Sequence, residues 1–236
     1  PSTTAPAGGF VGQAAGGELG AAVTDEVRAL IRTALDEDLR YGPDVTTAST
    51  VPDDAVVDAA IISRAHGVIA GVPVVEAVFD EVIGAGEYTI TSRVDDGTRV
   101  EPGTVVLAVH APTRALLTAE RTALNLISHL SGIATTTAAW VAAVEGTDAR
   151  IRDSRKTLPG LRHLQKYAVR AGGGVNHRMG LGDAALIKDN HVVAAGSVAA
   201  ALEAVRAAAP GLPVEVEVDS LTQLDEVLGL EPQLVL

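Results

Sequence analysis

Residues 150–191 read RIRDSRKTLPGLRHLQKYAVRAGGGVNHRMGLGDAALIKDNH. Ala149–Asp153 is a short apolar and basic run that predicts a strand. Gly160–Ala171 carries helical spacing, and three glycines close it. Ala184–Lys188 predicts the next strand. The same alternation continues with helix Ser197–Ala208, strand Pro213–Val218, helix Ser220–Leu228 and strand Gln233–Leu236. Strands that alternate with helices imply a parallel sheet, either doubly wound or closing into a barrel. Ligands of such sheets bind at the carboxyl ends of the strands. Ser154, Arg155, Lys156, Asp189, Asn190 and Asp219 fall just beyond those ends.

The charge of this stretch opposes that of the chain. The 236 residues carry a formal net charge of -12. Yet Arg150, Arg152, Arg155, Lys156, Arg162, Lys166, Arg170, Arg178 and Lys188 are half of the 18 basic residues and include every lysine. A positive island on a negative molecule attracts an anionic ligand to one place. Nucleic acid is excluded, because the remaining surface repels a long polyanion. A small, multiply charged molecule fits. The alternative is a solvated basic helix face. Against it, the charges span several elements and are interleaved with Gly and His.

Composition sets further limits. Apolar residues make up 47% and aromatics only 3%, so Ala, Val, Leu and Ile must fill the core. Cysteine is absent, which excludes disulfides and thiolate metal sites. No apolar run approaches the length that crosses a bilayer, and no secretory pattern opens the chain. A cytoplasmic enzyme is the expectation. Residues 1–20 are Gly, Ala, Ser and Thr with few large apolar groups, and read as a disordered tail. Residues 21–125 predict an N-terminal α/β domain and 126–236 the first part of a barrel domain.

Within the N-terminal domain, Thr24 predicts an N-cap for DEVRALIRTALDEDL, with Val27, Leu30, Ile31 and Leu35 on one face. DVTTAST after Gly42 reads as a loop. Val56–Ser63 predicts a strand, and Gly71-Val72-Pro73 opens a helix to Ile83. Tyr88–Val94 and Thr104–Val109 predict strands, with turns at Asp96-Gly97 and Pro102-Gly103. TRALLTAERTALNLISHLSG and IATTTAAWVAAVEG then predict two long apolar helices. Arg121, among their leucines, reads on residue type alone as a surface cation paired with Glu120.

Several motifs need weighing. Gly180-Leu-Gly182-Asp-Ala-Ala185 matches a dinucleotide fingerprint but precedes its strand instead of following one, so it is a decoy. Gly172-Gly173-Gly174 fits either a helix C-cap or close backbone approach to a ligand. His177-Arg178, after three glycines and before a strand, is a site candidate. No histidine pair has zinc-site spacing. Val214-Glu215-Val216-Glu217-Val218-Asp219 alternates, whereas a buried parallel strand should be nearly all apolar. Either it is an exposed edge, or Glu217 and Asp219 face a wet, cation-lined cavity.

DSRKTLPGLRHLQKYAVRAGGGVNHRMGLGDAALIKDNH and ERTALNLISHLSGIAT together resemble the quinolinate phosphoribosyltransferase family, and the likeness runs from about Val23 to the end. The resemblance implies an N-terminal α+β domain followed by an open, incomplete parallel α/β barrel of TIM type. It implies transfer of phosphoribose from phosphoribosyl pyrophosphate to quinolinate, with loss of CO2 and pyrophosphate, giving nicotinate mononucleotide for NAD synthesis. Mg2+ accompanies the pyrophosphate. Family members are homodimers or larger, so Arg121, which matches the arginine lent across the interface, changes role. By matching position, Arg155, Arg178 and Lys188 hold the quinolinate carboxylates, with Ser154 and His177 lining the pocket. Lys156 reaches between substrate and phosphates, and Glu217 lies near the ribose hydroxyls and the metal. The family's next strand-end acid, its two Gly-rich phosphate-binding segments and its tail find no match after Leu236. The expectation is a C-terminally truncated barrel with weak or no turnover and residual quinolinate binding. Two rivals remain: a nicotinate-specific transferase, which needs one carboxylate clamp, and a non-catalytic anion-binding protein, which needs neither Lys156 nor Glu217.

Overall fold

The computed structural model describes residues 22–236, so the expected tail at residues 1–20 lies outside the described residues. The described chain forms two compact units. The larger comprises residues 22–153 and 157–175, and the smaller comprises 154–156 and 176–236.

The larger unit opens with α1 (Asp25–Leu39), whose Thr24 cap accepts a hydrogen bond from Val27 N at 3.3 Å. Its buried face is Val27, Ile31 and Leu35, as the spacing predicts. The expected loop after Gly42 is instead a six-residue helix, α2 (Val45–Thr50). Asp44 caps it by accepting from Thr47 N at 3.0 Å. Arg114 ties it down, donating to Ala48 O at 2.9 Å and Val51 O at 2.8 Å. A helix this short is unstable alone, so the capping and the arginine, absent from its own composition, hold it.

The strands β1 (Val56–Ile62), β3 (Thr89–Arg93) and β5 (Val105–Pro112) form an antiparallel sheet with β5 in the centre. A small ribbon pairs β2 (Gly67–Val68) with β4 (Arg99–Val100). Between them, α3 (Val72–Val82) buries Val74, Val75, Val78 and Phe79. Asp96 serves its N-terminus, accepting from Gly71 N at 2.8 Å and Val72 N at 3.0 Å. Tyr167 OH donates to the same carboxylate at 2.6 Å. Burial and this bond push the Tyr167 phenol well above its ordinary value.

The two long helices expected after Pro112 are one, α4 (Thr113–Ala143, 31 residues). The expected boundary at 125/126 falls inside it. Gly132 lies mid-helix at a cost of roughly 1 kcal/mol relative to Ala, less than the burial of Leu130, Ala134 and Ala138 around it supplies. In length and hydropathy α4 could cross a bilayer, contrary to the reading that no such run exists. Its stripe of Leu116, Ala119, Ala123, Ile127 and Leu130 instead joins the core cluster beside α3, which makes it a core helix.

Against α4 lies α5 (Arg162–Ala171). The glycine run that follows explains how backbones meet so closely. A methyl on Gly172 would collide with the Ala134 carbonyl oxygen and lie 2.7 Å from Thr137 Cβ. One on Gly174 would lie 2.8 Å from Val169 Cγ1 and 2.9 Å from Thr137 Cγ2. Gly172 is also the C-cap of α5, with Gly173 at φ 87°, so the C-cap reading holds and the close approach is to protein, chiefly Ala134 and Thr137 of α4. Gly172→Ala should cost about 1–3 kcal/mol through overpacking. Chemical denaturation measures it, and a change within 0.5 kcal/mol, a figure typical of surface sites, would contradict the close fit.

Ala149–Asp153 is not a regular strand. It makes a single parallel bridge, Arg152 with Val175, supported by Val175 N donating to Ile151 O at 2.9 Å. Its three charges in five residues leave too little apolar surface to form a longer ladder.

In the smaller unit, β6 (Ala185–Ile187), β7 (Val214–Val216) and β8 (Leu234–Val235) form a parallel sheet in that order. The helices α6 (Asp189–Ala195) and α7 (Val198–Ala208) connect β6 to β7, and α8 (Leu221–Leu228) connects β7 to β8. Ser197 and Ser220 cap α7 and α8 by accepting from Ala200 N at 3.1 Å and Gln223 N at 3.2 Å. Each such cap is worth about 1 kcal/mol. Ile187, Val198, Leu202, Val214, Val216 and Val227 form its core. The expected α/β rhythm with parallel strands holds here, with α6 as an addition where loop residues Asp189 and Asn190 were expected.

Candidate active site

The smaller unit places Lys188 and Glu217 just beyond the carboxyl ends of β6 and β7. Ile187 of β6 pairs with Val216 of β7. The next residues, Lys188 and Glu217, are therefore side by side, and Glu217 N continues the ladder to Ile187 O at 2.9 Å. Lys188 Nζ donates to Glu217 Oε2 at 2.6 Å, with both side chains partly exposed. An exposed pair of this kind contributes at most about 1 kcal/mol, so a ligand can rearrange it cheaply.

Being central in its sheet, β7 is no exposed edge. Val214, Glu215 and Val216 are all buried, with Glu215 only 1% exposed. Glu215 makes a hydrogen-bond contact with His177 Nε2. Residue-type reasoning recognised the alternation but singled out Glu217 and Asp219. The clue to Glu215 was the same alternation, because an acid between two buried valines requires a partner. Asp219 is exposed, and its backbone N donates to Gln223 Oε1 at 2.7 Å.

Residues 176–184 lead into β6 and carry His177 and Arg178. Arg178 Nη1 donates to Ala184 O at 2.9 Å. Its Nε is buried and has no hydrogen-bond partner among the described residues. A buried guanidinium nitrogen in that state is costly and suits an incoming carboxylate. Asp183 shapes the same segment by accepting from Met179 N at 2.6 Å and Gly180 N at 2.8 Å. Burial alone would raise its carboxyl, but those amides and the Arg178 charge hold it below the usual value.

Ser154, Arg155 and Lys156 belong to this unit too. Ser154 Oγ accepts from Lys156 N at 3.1 Å, which fixes the turn, and both residues are exposed while Arg155 is half-buried. Thus Ser154, Arg155, Lys156, His177, Arg178, Lys188 and Glu217 share one unit.

Arg121 lies in the larger unit, exposed on α4. It forms no ion pair with Glu120; both line a groove of about 1010 Å³ with Ala59, Ile61, Leu117 and Leu124. Lys166 also belongs to the larger unit, where it is fully buried against Asp153. Arg170 lies over the Tyr167 ring at 5.6 Å. These two cations are committed to packing, so the positive island is smaller than nine residues. Among the described residues no three His, Asp or Glu side chains converge as a metal cage.

Comparison with known proteins gives the family. The quinolinate phosphoribosyl transferase N-terminal domain model matches residues 44–131, and the C-terminal domain model matches residues 133–236. The nicotinate-nucleotide pyrophosphorylase [carboxylating] of Mycobacterium leprae is 64% identical over 212 residues, covering 90% of this chain and 75% of that protein. A probable nicotinate-nucleotide pyrophosphorylase [carboxylating] of Bacillus subtilis is 41% identical over 82% of this chain and 66% of its own length. Among solved structures, the nicotinate-nucleotide pyrophosphorylase of Francisella tularensis superposes with a TM-score of 0.86 at 35% identity, covering 93% of this chain and 76% of that one. NadC from Streptococcus pyogenes gives a TM-score of 0.82 at 40% identity, covering 88% and 74%. The chain belongs to the quinolinate phosphoribosyl transferase family.

Proposed function

We propose that this protein transfers phosphoribose from phosphoribosyl pyrophosphate to quinolinate in the cytoplasm, releasing pyrophosphate and CO2 and forming nicotinate mononucleotide. The observation that carries the proposal is that Arg155, Arg178 and Lys188 belong to one unit, in a chain of net charge -12. Quinolinate brings two carboxylates. Arginine forks and a lysine point charge suit them. Arg178, with its buried Nε, clamps one carboxylate. Arg155 and Lys188 serve the pair, Ser154 and His177 line the pocket, and Lys156 reaches toward the donor phosphates.

The chemistry follows from those placements. The pyridine nitrogen attacks the ribose anomeric carbon, and the bond to pyrophosphate breaks with its electron pair leaving on oxygen. Positive charge builds on the sugar and negative charge on the leaving group, so preorganised charges act on both. Glu217 favours the cationic sugar, and Lys156 favours the departing pyrophosphate. The ring nitrogen is then quaternary. Electrons of the adjacent C–CO2 bond pass to the ring carbon as CO2 leaves, and that carbon takes a proton. Mg2+ would be held mainly by the diphosphate with Glu217 as the protein carboxylate beside it, and would neutralise phosphate charge there.

Arg121 is proposed to serve the site of a second copy in a homodimer or larger assembly. Its exposure on α4, with no ion pair among the described residues, supports that use. Calorimetric titration tests the substrate assignment. Quinolinate should bind at least tenfold more tightly than nicotinate, the difference of one charge-assisted contact. Equal affinities would remove the dicarboxylate reading in favour of a single clamp.

A further inference from the structure

We infer that Glu215 is the positioning residue for His177, the two forming a buried layer beneath the Lys188–Glu217 pair. The inference rests on the assignment of His177 to the quinolinate pocket. Glu215 lies in the middle of the central strand, 1% exposed, with Val214 and Val216 on either side also buried. An unpaired carboxylate there is strongly unfavourable, and an aliphatic side chain would fill the same position without that cost. Its partner is His177 Nε2, on a side chain only 10% exposed.

Sheet geometry puts this pair in register with the site. In a parallel ladder paired residues share a face, and so do residues two apart on one strand. Leu186 pairs with Glu215. Lys188 and Glu217 follow two residues on and form their own ion pair. The His177–Glu215 contact therefore lies on the same face as Lys188–Glu217, about 6.6 Å deeper along the strands. A carboxylate accepts hydrogen bonds and does not donate them. It accordingly fixes the proton on Nε2 and holds the ring plane, leaving the Nδ1 edge in one tautomer. Carboxylates that orient histidines in this way, when removed, typically weaken function by about 10–100-fold in metal sites.

The test uses Glu215→Leu and Glu215→Gln in the whole chain. Leucine keeps the volume but leaves the buried His177 ring without this partner, so thermal stability should fall, by less than for a bare buried charge because the imidazole can be neutral. Quinolinate affinity in that variant should also fall about tenfold. Glutamine retains an acceptor oxygen and should restore part of the loss. Nitrogen-15 imidazole spectra of histidine-labelled protein give a second readout. His177, assigned by its loss in His177→Asn, should show a proton on Nε2 alone in the parent and mixed tautomers in the leucine variant. A folded leucine variant with unchanged tautomer and affinity within twofold would overturn the inference. Should the leucine variant fail to fold, the same two readouts in the glutamine variant decide it. Should the parent not bind quinolinate, the pocket assignment fails, while the spectra still report whether Glu215 sets the ring.

Discussion

Replacing Arg178 by lysine is expected to weaken quinolinate binding by about tenfold, and replacing it by alanine by roughly 30- to several-thousand-fold. One nitrogen donates to Ala184 O at 2.9 Å, which ties residues 176–184 to the base of β6. Another, Nε, is buried with no hydrogen-bond partner among the described residues. The guanidinium is thus held by one edge and presents the other. Lysine keeps the charge but loses the fork, so it can serve the carbonyl or the ligand but not both. Alanine loses both and leaves the incoming carboxylate without its partner, a change worth about 2–5 kcal/mol. Calorimetry measures the affinities, and circular dichroism separates lost binding from lost fold. A lysine variant that binds quinolinate within twofold of the parent would mean that Arg178 is structural only.

The second large effect concerns stability. Lys166→Ala should destabilise the protein by about 3–5 kcal/mol, or roughly 10 °C in Tm for a chain of this size. Lys166 is fully buried on α5, and its ion-pair partner Asp153 is only 8% exposed. Removing the ammonium takes the Lys166 contact from a buried carboxylate, and this costs more than the pair itself is worth. The double replacement Lys166→Met with Asp153→Leu removes both charges and should recover most of the loss. Thermal unfolding of the two proteins makes the comparison. A single variant within 2 °C of the parent, a shift below 1 kcal/mol, would show that the pair is not a buried unit.

These two cations illustrate what could be read from the amino-acid order. Both were counted in one basic island. Distinguishing the cation for a ligand from the cation for the core required knowing that Asp153 and Lys166 meet, which spacing does not reveal. Local signals were clear elsewhere. Thr24, Ser197 and Ser220 mark helix starts, and the period of Val27, Ile31 and Leu35 marks a face. The helix Val45–Thr50 was obscure because its stability comes from Arg114, far along the chain. The glycines at 172–174 were ambiguous for the same reason, since they pack on Ala134 and Thr137. Glu215 was visible as an anomaly in an apolar strand, but its partner His177 is 38 positions away and only the fold unites them.

The meeting of Lys188 and Glu217, by contrast, was legible: both follow short strands, and the parallel register Ile187 to Val216 brings them together. The family resemblance added the substrate, and the matched domain models bear out the family.

A crystal structure of the protein with quinolinate addresses the pocket itself. The expected density shows the pyridine at the carboxyl ends of β6 and β7, one carboxylate on Arg178 Nε and the other within reach of Arg155 and Lys188. Quinolinate bound elsewhere, with Arg178 Nε still unpartnered and Lys188 still on Glu217, would contradict the account.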